Sequence, residues 1–156
     1  MAICKPSALK GLLARNQTIL GLDLGTKTIG LAVSDVGYMI ASPLKTIARR
    51  KFTQDWAELA EVIQNRQVGA LVVGLPIQMD GTEGARAQAT RSFVSEVLKR
   101  MDLPVAFWDE RLSSSAVERM LTDEADLSRK RRAELVDKTA AAYILQGALD
   151  AMRYQA

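Results

Sequence analysis

A chain of 156 residues, 48% of them hydrophobic and only 4 of them proline, has the size and the core material of one ordinary domain. Its 21 Lys and Arg against 18 Asp and Glu leave a net charge of +3, which permits an anionic partner without requiring one. The single cysteine, Cys4, excludes an intramolecular disulfide, and the absence of histidine removes the commonest zinc ligand and the usual general base, so any catalysis falls to carboxylates, lysines or hydroxyls.

Residues 1–17 carry Lys5, Lys10 and Arg15 with no acid before Asp23, and read as a flexible basic N-terminal extension. They lack the long apolar stretch of a secretory signal, and no apolar run in the sequence reaches the length of a bilayer span. A cytoplasmic protein with no membrane partner is the expectation.

From Thr18 the chain reads as an apolar strand, Ile19 to Leu24, stopped by Gly25-Thr26-Lys27-Thr28 and resumed from Ile29 to Ser34, which is the pattern of a hairpin. A third extended stretch is expected from about Tyr38 to Ile47. After Arg49-Arg50-Lys51, the spacing of Phe52, Trp56, Leu59, Ala60 and Ile63 predicts a helix. The continuous apolar run Ala70 to Gly74 suits a strand covered on both faces. A second helix is expected from about Ala85 to Met101, then a strand from Val105 to Trp108 beyond Pro104. Ser113 or Ser114 is placed to cap a short helix with Val117, Met120 and Leu121, and a last helix is expected from Glu134 to about Tyr154.

The sum is an α/β fold with a five-stranded mixed sheet, three antiparallel strands followed by parallel crossovers, and helices on both faces. That element order, β-β-β-α-β-α-β-α-α over residues 18–156, is the order of ribonuclease H-like folds.

Three acids stand where acids are costly. Asp23 interrupts an apolar strand, where an unpaired carboxylate loses its hydration without return. Asp137 precedes Ala141, Ile144 and Ala148 on one helical face, so the pattern points it inward. Glu110 follows a strand at its carboxyl end, where open α/β sheets place functional groups, and Asp109 beside it points to the other face. Each has an ordinary alternative: hydroxyls of Thr26 and Thr28 for Asp23, the first turn of a helix for Asp137, a pair with Arg111 for Glu110. Gathered by one fold, three mutually repelling carboxylates require a cation, and hard oxygen donors without His or Cys select Mg²⁺ or Mn²⁺.

Four stretches then carry a resemblance: Gly21 to Asp35 with the run Asp23-Leu24-Gly25-Thr26-Lys27-Thr28, Gly74-Leu75-Pro76 through Asp80-Gly81-Thr82-Glu83-Gly84, Asp109-Glu110-Arg111-Leu112-Ser113-Ser114, and Asp137 through Ala140-Ala141 to Gln146. In this order they resemble the YqgF, or RuvX, family of pre-16S rRNA nucleases, related to Holliday junction resolvases. The resemblance implies a metal-dependent nuclease with Asp23, Glu110 and Asp137 as its catalytic and metal-binding acids, processing the 5′ end of pre-16S rRNA on a ribosomal particle. The chain departs from the family pattern at Thr28, where Arg is usual, and at Gln78, where Asn is usual.

Candidate phosphate contacts are Lys27, Arg111 and the cluster Arg129-Lys130-Arg131-Arg132, whose charge opposes the dipole of the helix it precedes. Arg49-Arg50-Lys51 is either a second contact patch or a solvated surface. The alternatives are a resolvase of branched DNA, acting as a homodimer rather than a monomer, and a nucleic-acid- or ribosome-binding module without strong activity. The Asp23 hairpin also resembles that of the actin, Hsp70 and sugar-kinase superfamily, whose members need two such domains.

Overall fold

The structure is a computed structural model. It describes the backbone of residues 3–110 and 129–154 and the side chains of residues 3–110 and 138–153. The elements are α1 (Pro6–Leu12), β1 (Thr18–Leu24), β2 (Thr28–Ser34), β3 (Ala41–Ala48), α2 (Phe52–Asn65), β4 (Val68–Leu75), α3 (Ala85–Leu98), β5 (Val105–Asp109) and α4 (Arg129–Tyr154). The short helix expected after Ser113 or Ser114, with Val117, Met120 and Leu121, lies outside the described residues.

One five-stranded sheet runs in the order β3-β2-β1-β4-β5. The hairpin strands β1 and β2 pair antiparallel with Asp23 opposite Gly30, and β2 pairs antiparallel with β3. The strands after the helices, β4 and β5, join in parallel, with Leu22 beside Val73 and Gly74 beside Trp108. Helical crossovers place α2 and α3 on one face, as right-handed parallel connections require. The long helix α4 covers the other, packed on β1, β2 and β3.

Period-two alternation decides what each face holds. Leu20, Leu22, Leu31, Leu71 and Val73 point to the α2/α3 side and meet Leu59, Phe93 and Val97. Ile19, Ala32, Ala70, Val72 and Ala106 point to the α4 side and meet Ala141, Ile144, Leu145 and Ala148. The strand β4 is buried along its whole length, as its unbroken apolar run requires.

From Ile3 onward the basic leader, expected to be a flexible extension, packs against the sheet and forms α1. Pro6 at the first turn presets the backbone of α1, Leu9 is fully buried beside α4, and Ile3 bridges Val105 in parallel, with the Cys4 N–H donating to the Val105 carbonyl at 2.8 Å. The basic residues stay outside while Leu9, Cys4 and Leu13 join the core. The segment thereby covers part of the β5 edge, whose unpaired backbone groups would otherwise face solvent. The third strand begins at Ala41 rather than Tyr38. Asp35 accepts hydrogen bonds from the Met39 and Ile40 N–H groups at 2.8 and 3.0 Å, and Tyr38 takes a left-handed backbone with φ 58°, which together hold 35–40 as a turn. The last helix begins at Arg129, earlier than Glu134, so the basic cluster forms its first turn instead of preceding it.

Candidate active site

Asp23 sits on the α4 side of β1, one alternation beyond Gly21, and Glu110 directly follows β5. Strand β4 lies between those two strands, so the two acids meet only by reaching over it. The residue in the way is Gly74. A Cβ there would lie 2.8 Å from Glu110 Oε1, 2.9 Å from Glu110 Cγ and 2.5 Å from Ile144 Cδ1, so only glycine lets the Glu110 side chain lie across the strand. Glu110 and Asp23 then share a side-chain hydrogen bond.

Two carboxyls in hydrogen-bond contact hold a proton between them. Burial first, then the hydrogen bond to Glu110 and its negative charge, push the Asp23 carboxyl from its ordinary 3.8 up to about 8. The guanidinium of Arg86 acts in the opposite direction. Arg86 is anchored beside the pair, its Nη2 donating to the Leu24 carbonyl at 2.7 Å. Arg86 is a site residue beyond those expected from the sequence, although it carries the same signal as the basic cluster of α4: a cation in the first turn of a helix, here α3, against the dipole.

Asp137 lies in α4, four residues before Ala141, and its side chain is outside the described residues. Ala141 itself is in the packing of α4 on β1: a Cβ on Gly21 would lie 3.0 Å from the Ala141 carbonyl and 2.8 Å from Leu145 Cβ. Among the described residues no group of three acidic, histidine or cysteine ligands is assembled, so the described part of the site is a carboxylate pair. The donor set fits a hard divalent cation. Ionisation of Asp23 at neutral pH is opposed by burial and by the neighbouring Glu110, and an oxygen-loving cation relieves both.

Lys27 is exposed in the turn after β1, and its carbonyl accepts from the Arg49 N–H at 2.9 Å. Thr28, at the position where the family pattern has Arg, lines a cavity of about 240 Å³ with Thr46, Ala48 and Lys138, so α4 brings a cation to that spot. Arg111 lies outside the described residues, as do the side chains of Arg129, Lys130, Arg131 and Arg132. The loop after β4 closes on itself: Ile77 bridges Glu83, the Gln78 N–H donates to the Thr82 carbonyl at 2.9 Å, and Asp80 accepts from the Thr82 hydroxyl at 2.6 Å. Gln78 packs against Gly84, where a Cβ would meet its Nε2 at 2.4 Å.

The RuvX family model, described as Holliday junction resolvase, matches residues 17–151. A protein of Paramagnetospirillum magneticum named "Putative pre-16S rRNA nuclease" is 59% identical over 150 residues, 96% of each chain. A protein of the same name from Rhodospirillum centenum is 60% identical over 158 residues, 98% of this chain and 84% of that one. Among solved structures, T. thermophilus RuvC in complex with Holliday junction substrate matches with a TM-score of 0.58 at 20% identity, covering 90% of this chain and 98% of that chain. The Fowlpox virus resolvase with its Holliday junction DNA matches with a TM-score of 0.53 at 8% identity, over 87% and 99%. At such identities the likeness is one of fold, the ribonuclease H-like mixed sheet.

Proposed function

The chain belongs to the RuvX family of nucleases, and we propose that it hydrolyses phosphodiester bonds with Mg²⁺ or Mn²⁺ held by Asp23, Glu110 and Asp137, its substrate being the 5′-extended 16S rRNA precursor. The observation that carries the chemistry is the Asp23–Glu110 pair, brought together over Gly74, where burial and the neighbouring Glu110 raise the Asp23 carboxyl to about 8. The preference for the rRNA precursor rests on the names of the relatives, because phosphates alone do not separate RNA from DNA. We place the reaction in the cytoplasm. No helix among the described residues is long and apolar enough to cross a membrane.

A bound divalent cation supplies charge neutralisation at the scissile phosphate and lowers the pKa of water to the neutral range. Asp23 and Glu110 would hold it, at the ends of strands whose register with β4 sets their relative positions. Water attacks phosphorus in line as the P–O3′ bond breaks, and the 3′ oxygen leaves. With no histidine in the chain, the proton of the attacking water passes to a carboxylate or to the phosphate itself. To Arg86, anchored on Leu24 beside the pair, and to Lys27 at the exposed turn we assign the contacts to the incoming phosphate.

A second reading, resolution of branched DNA, is favoured by the family description and by a fold shared with two junction-bound resolvases. It requires a homodimer, since a junction has two-fold symmetry. The test is incubation of the protein with end-labelled 5′-extended 16S rRNA precursor and with a four-way DNA junction, each with Mg²⁺, Mn²⁺ or EDTA. Metal-dependent cuts in the RNA alone support the first reading. Symmetric junction cuts with intact RNA overturn it in favour of the second, and binding of either without cuts overturns both.

A further inference from the structure

Where the start of α2 meets α3, a cavity of about 570 Å³ opens, lined by Arg49, Lys51, Phe52, Ser92, Glu96 and Arg100 among others. We infer that this groove carries one strand of the nucleic-acid substrate away from the carboxylate pair, with Arg49, Lys51 and Arg100 on its phosphates. The inference rests on the nuclease reading and adds the path of the substrate.

The groove lies on the α2/α3 face, and its Arg49 is tied to the end of the strand that carries Asp23. Arg86 and Arg49 donate to the carbonyls of Leu24 and Gly25, each at 2.7 Å, and those are the two residues that follow Asp23. From Arg86 in the first turn of α3 to Arg100 just past its end, the helix advances about 21 Å. Cations therefore follow α3 from Arg86 in its first turn, past Arg49 on Phe93, to Arg100 beyond its end.

Those cations are held in place. The Arg49 guanidinium lies 5.6 Å from the Phe93 ring centre and the Arg100 guanidinium 4.7 Å from that of Phe52, and the two rings meet edge-on at 5.3 Å. A guanidinium already seated on a ring loses less freedom when it binds a phosphate. The one acid of the wall, Glu96, is bridged by Lys99 at 2.9 Å and by Arg100 at 3.2 Å, which leaves the surface positive. Lys51 is exposed at the N-cap of α2, where its charge opposes the helix dipole and where no ion pair engages it among the described residues. Helix stability accounts for Arg100 but not for Lys51. A positively charged groove with aromatic rings in its wall suits a single strand.

The test uses single-stranded RNA of about 4 to 16 nucleotides, the span of single-strand site sizes, binding to Asp23→Asn protein over a salt series. The same protein carrying Lys51→Ala and Arg100→Ala is compared with it. Each lost phosphate contact reduces the slope of log affinity against log salt by about 0.7, so the double variant is expected to lose about 1.4 and to gain less affinity than its parent as the strand lengthens. Thermal melting of both proteins separates a lost contact from lost folding, and a slope lost together with the fold is restored by Lys51→Arg with Arg100→Lys if the groove binds phosphate. Equal slopes and equal length dependence in folded proteins overturn the groove while cleavage by the wild-type protein leaves the nuclease reading standing. A wild-type protein that neither binds nor cuts overturns both.

Discussion

The two faces of the sheet are built from different residues. The α2/α3 face is filled by Leu20, Leu22, Leu31, Leu71, Val73 and Phe93, side chains large enough to hold helices away from the strands. The α4 face sets Ala32, Ala70, Ala106, Ala141 and Ala148, with Gly21 and Gly74, among Ile19, Val72, Ile144 and Leu145, and at the glycines the helix comes directly onto the strands. The two acids that meet lie on the second face only. Large residues give the first face its apolar burial, while glycines and alanines interspersed on the second give the close approach, at Gly74 above all, that brings Asp23 and Glu110 together across a strand. Stability and chemistry are thus separable by face, and substitutions on each are the way to break that separation.

The largest effect is expected at the site. Asp23→Asn, which keeps size and removes charge, lowers the cleavage rate by at least about 10²–10³-fold, the range seen when a fixed electrostatic contact to the reacting group is lost. A single-turnover assay at saturating Mg²⁺ measures it. Normal cleavage by this variant would remove the carboxylate pair from the mechanism.

On the opposite face, Leu71→Ala costs about 2–5 kcal/mol of stability by leaving a cavity under α2 and α3. Its cleavage rate per folded molecule stays close to wild type. Denaturant titration and a rate corrected for the folded fraction check both halves, and a rate that falls with an intact fold would show that the faces are not separate. Three residues along the same strand, Gly74→Ala is the converse. The added methyl must displace Glu110 and Ile144, for about 1–3 kcal/mol of overpacking, but because Glu110 is pushed off Asp23 the loss of rate exceeds what the loss of stability accounts for.

The architecture was legible in the sequence because each strand announces its face. The hairpin of β1 and β2, the buried run of β4 and the helical spacing of α2 all carry strong periodicity, and Asp23 stands out against such a background. Glu110 was legible by its place at a strand end. Its route to Asp23 was not, because contact across β4 depends on parallel register and on one missing Cβ, neither of which a local pattern encodes. The leader misled for a related reason. Its basic residues dominate the composition, yet a single buried Leu9 and a backbone bond to Val105 fix it to the sheet edge. Arg86 carried a local signal, a cation against a helix dipole, that gains meaning only when α3 is seen to start beside β1.

The smallest effect is the most specific to the pair. The folded protein holds a proton on Asp23 up to about pH 8, whereas the unfolded chain releases it near the ordinary 3.8. Between those values the folded state binds the extra proton, so without metal the stability that this proton confers is complete at acid pH and is lost as pH rises toward 8. Asp23→Asn carries no such proton. The variant is therefore expected to melt above wild type at pH 8 in EDTA, by about 1–2 kcal/mol once solvent screening of a half-buried group is allowed for, and to lose that advantage at pH 5. Mg²⁺ acts in the proton's place: it raises the wild-type melting temperature more at pH 8 than at pH 5 and leaves the variant nearly unmoved. Parallel pH curves for the two proteins would mean that Asp23 ionises freely in the folded state, and that the small-residue face imposes no electrostatic strain for a cation to relieve.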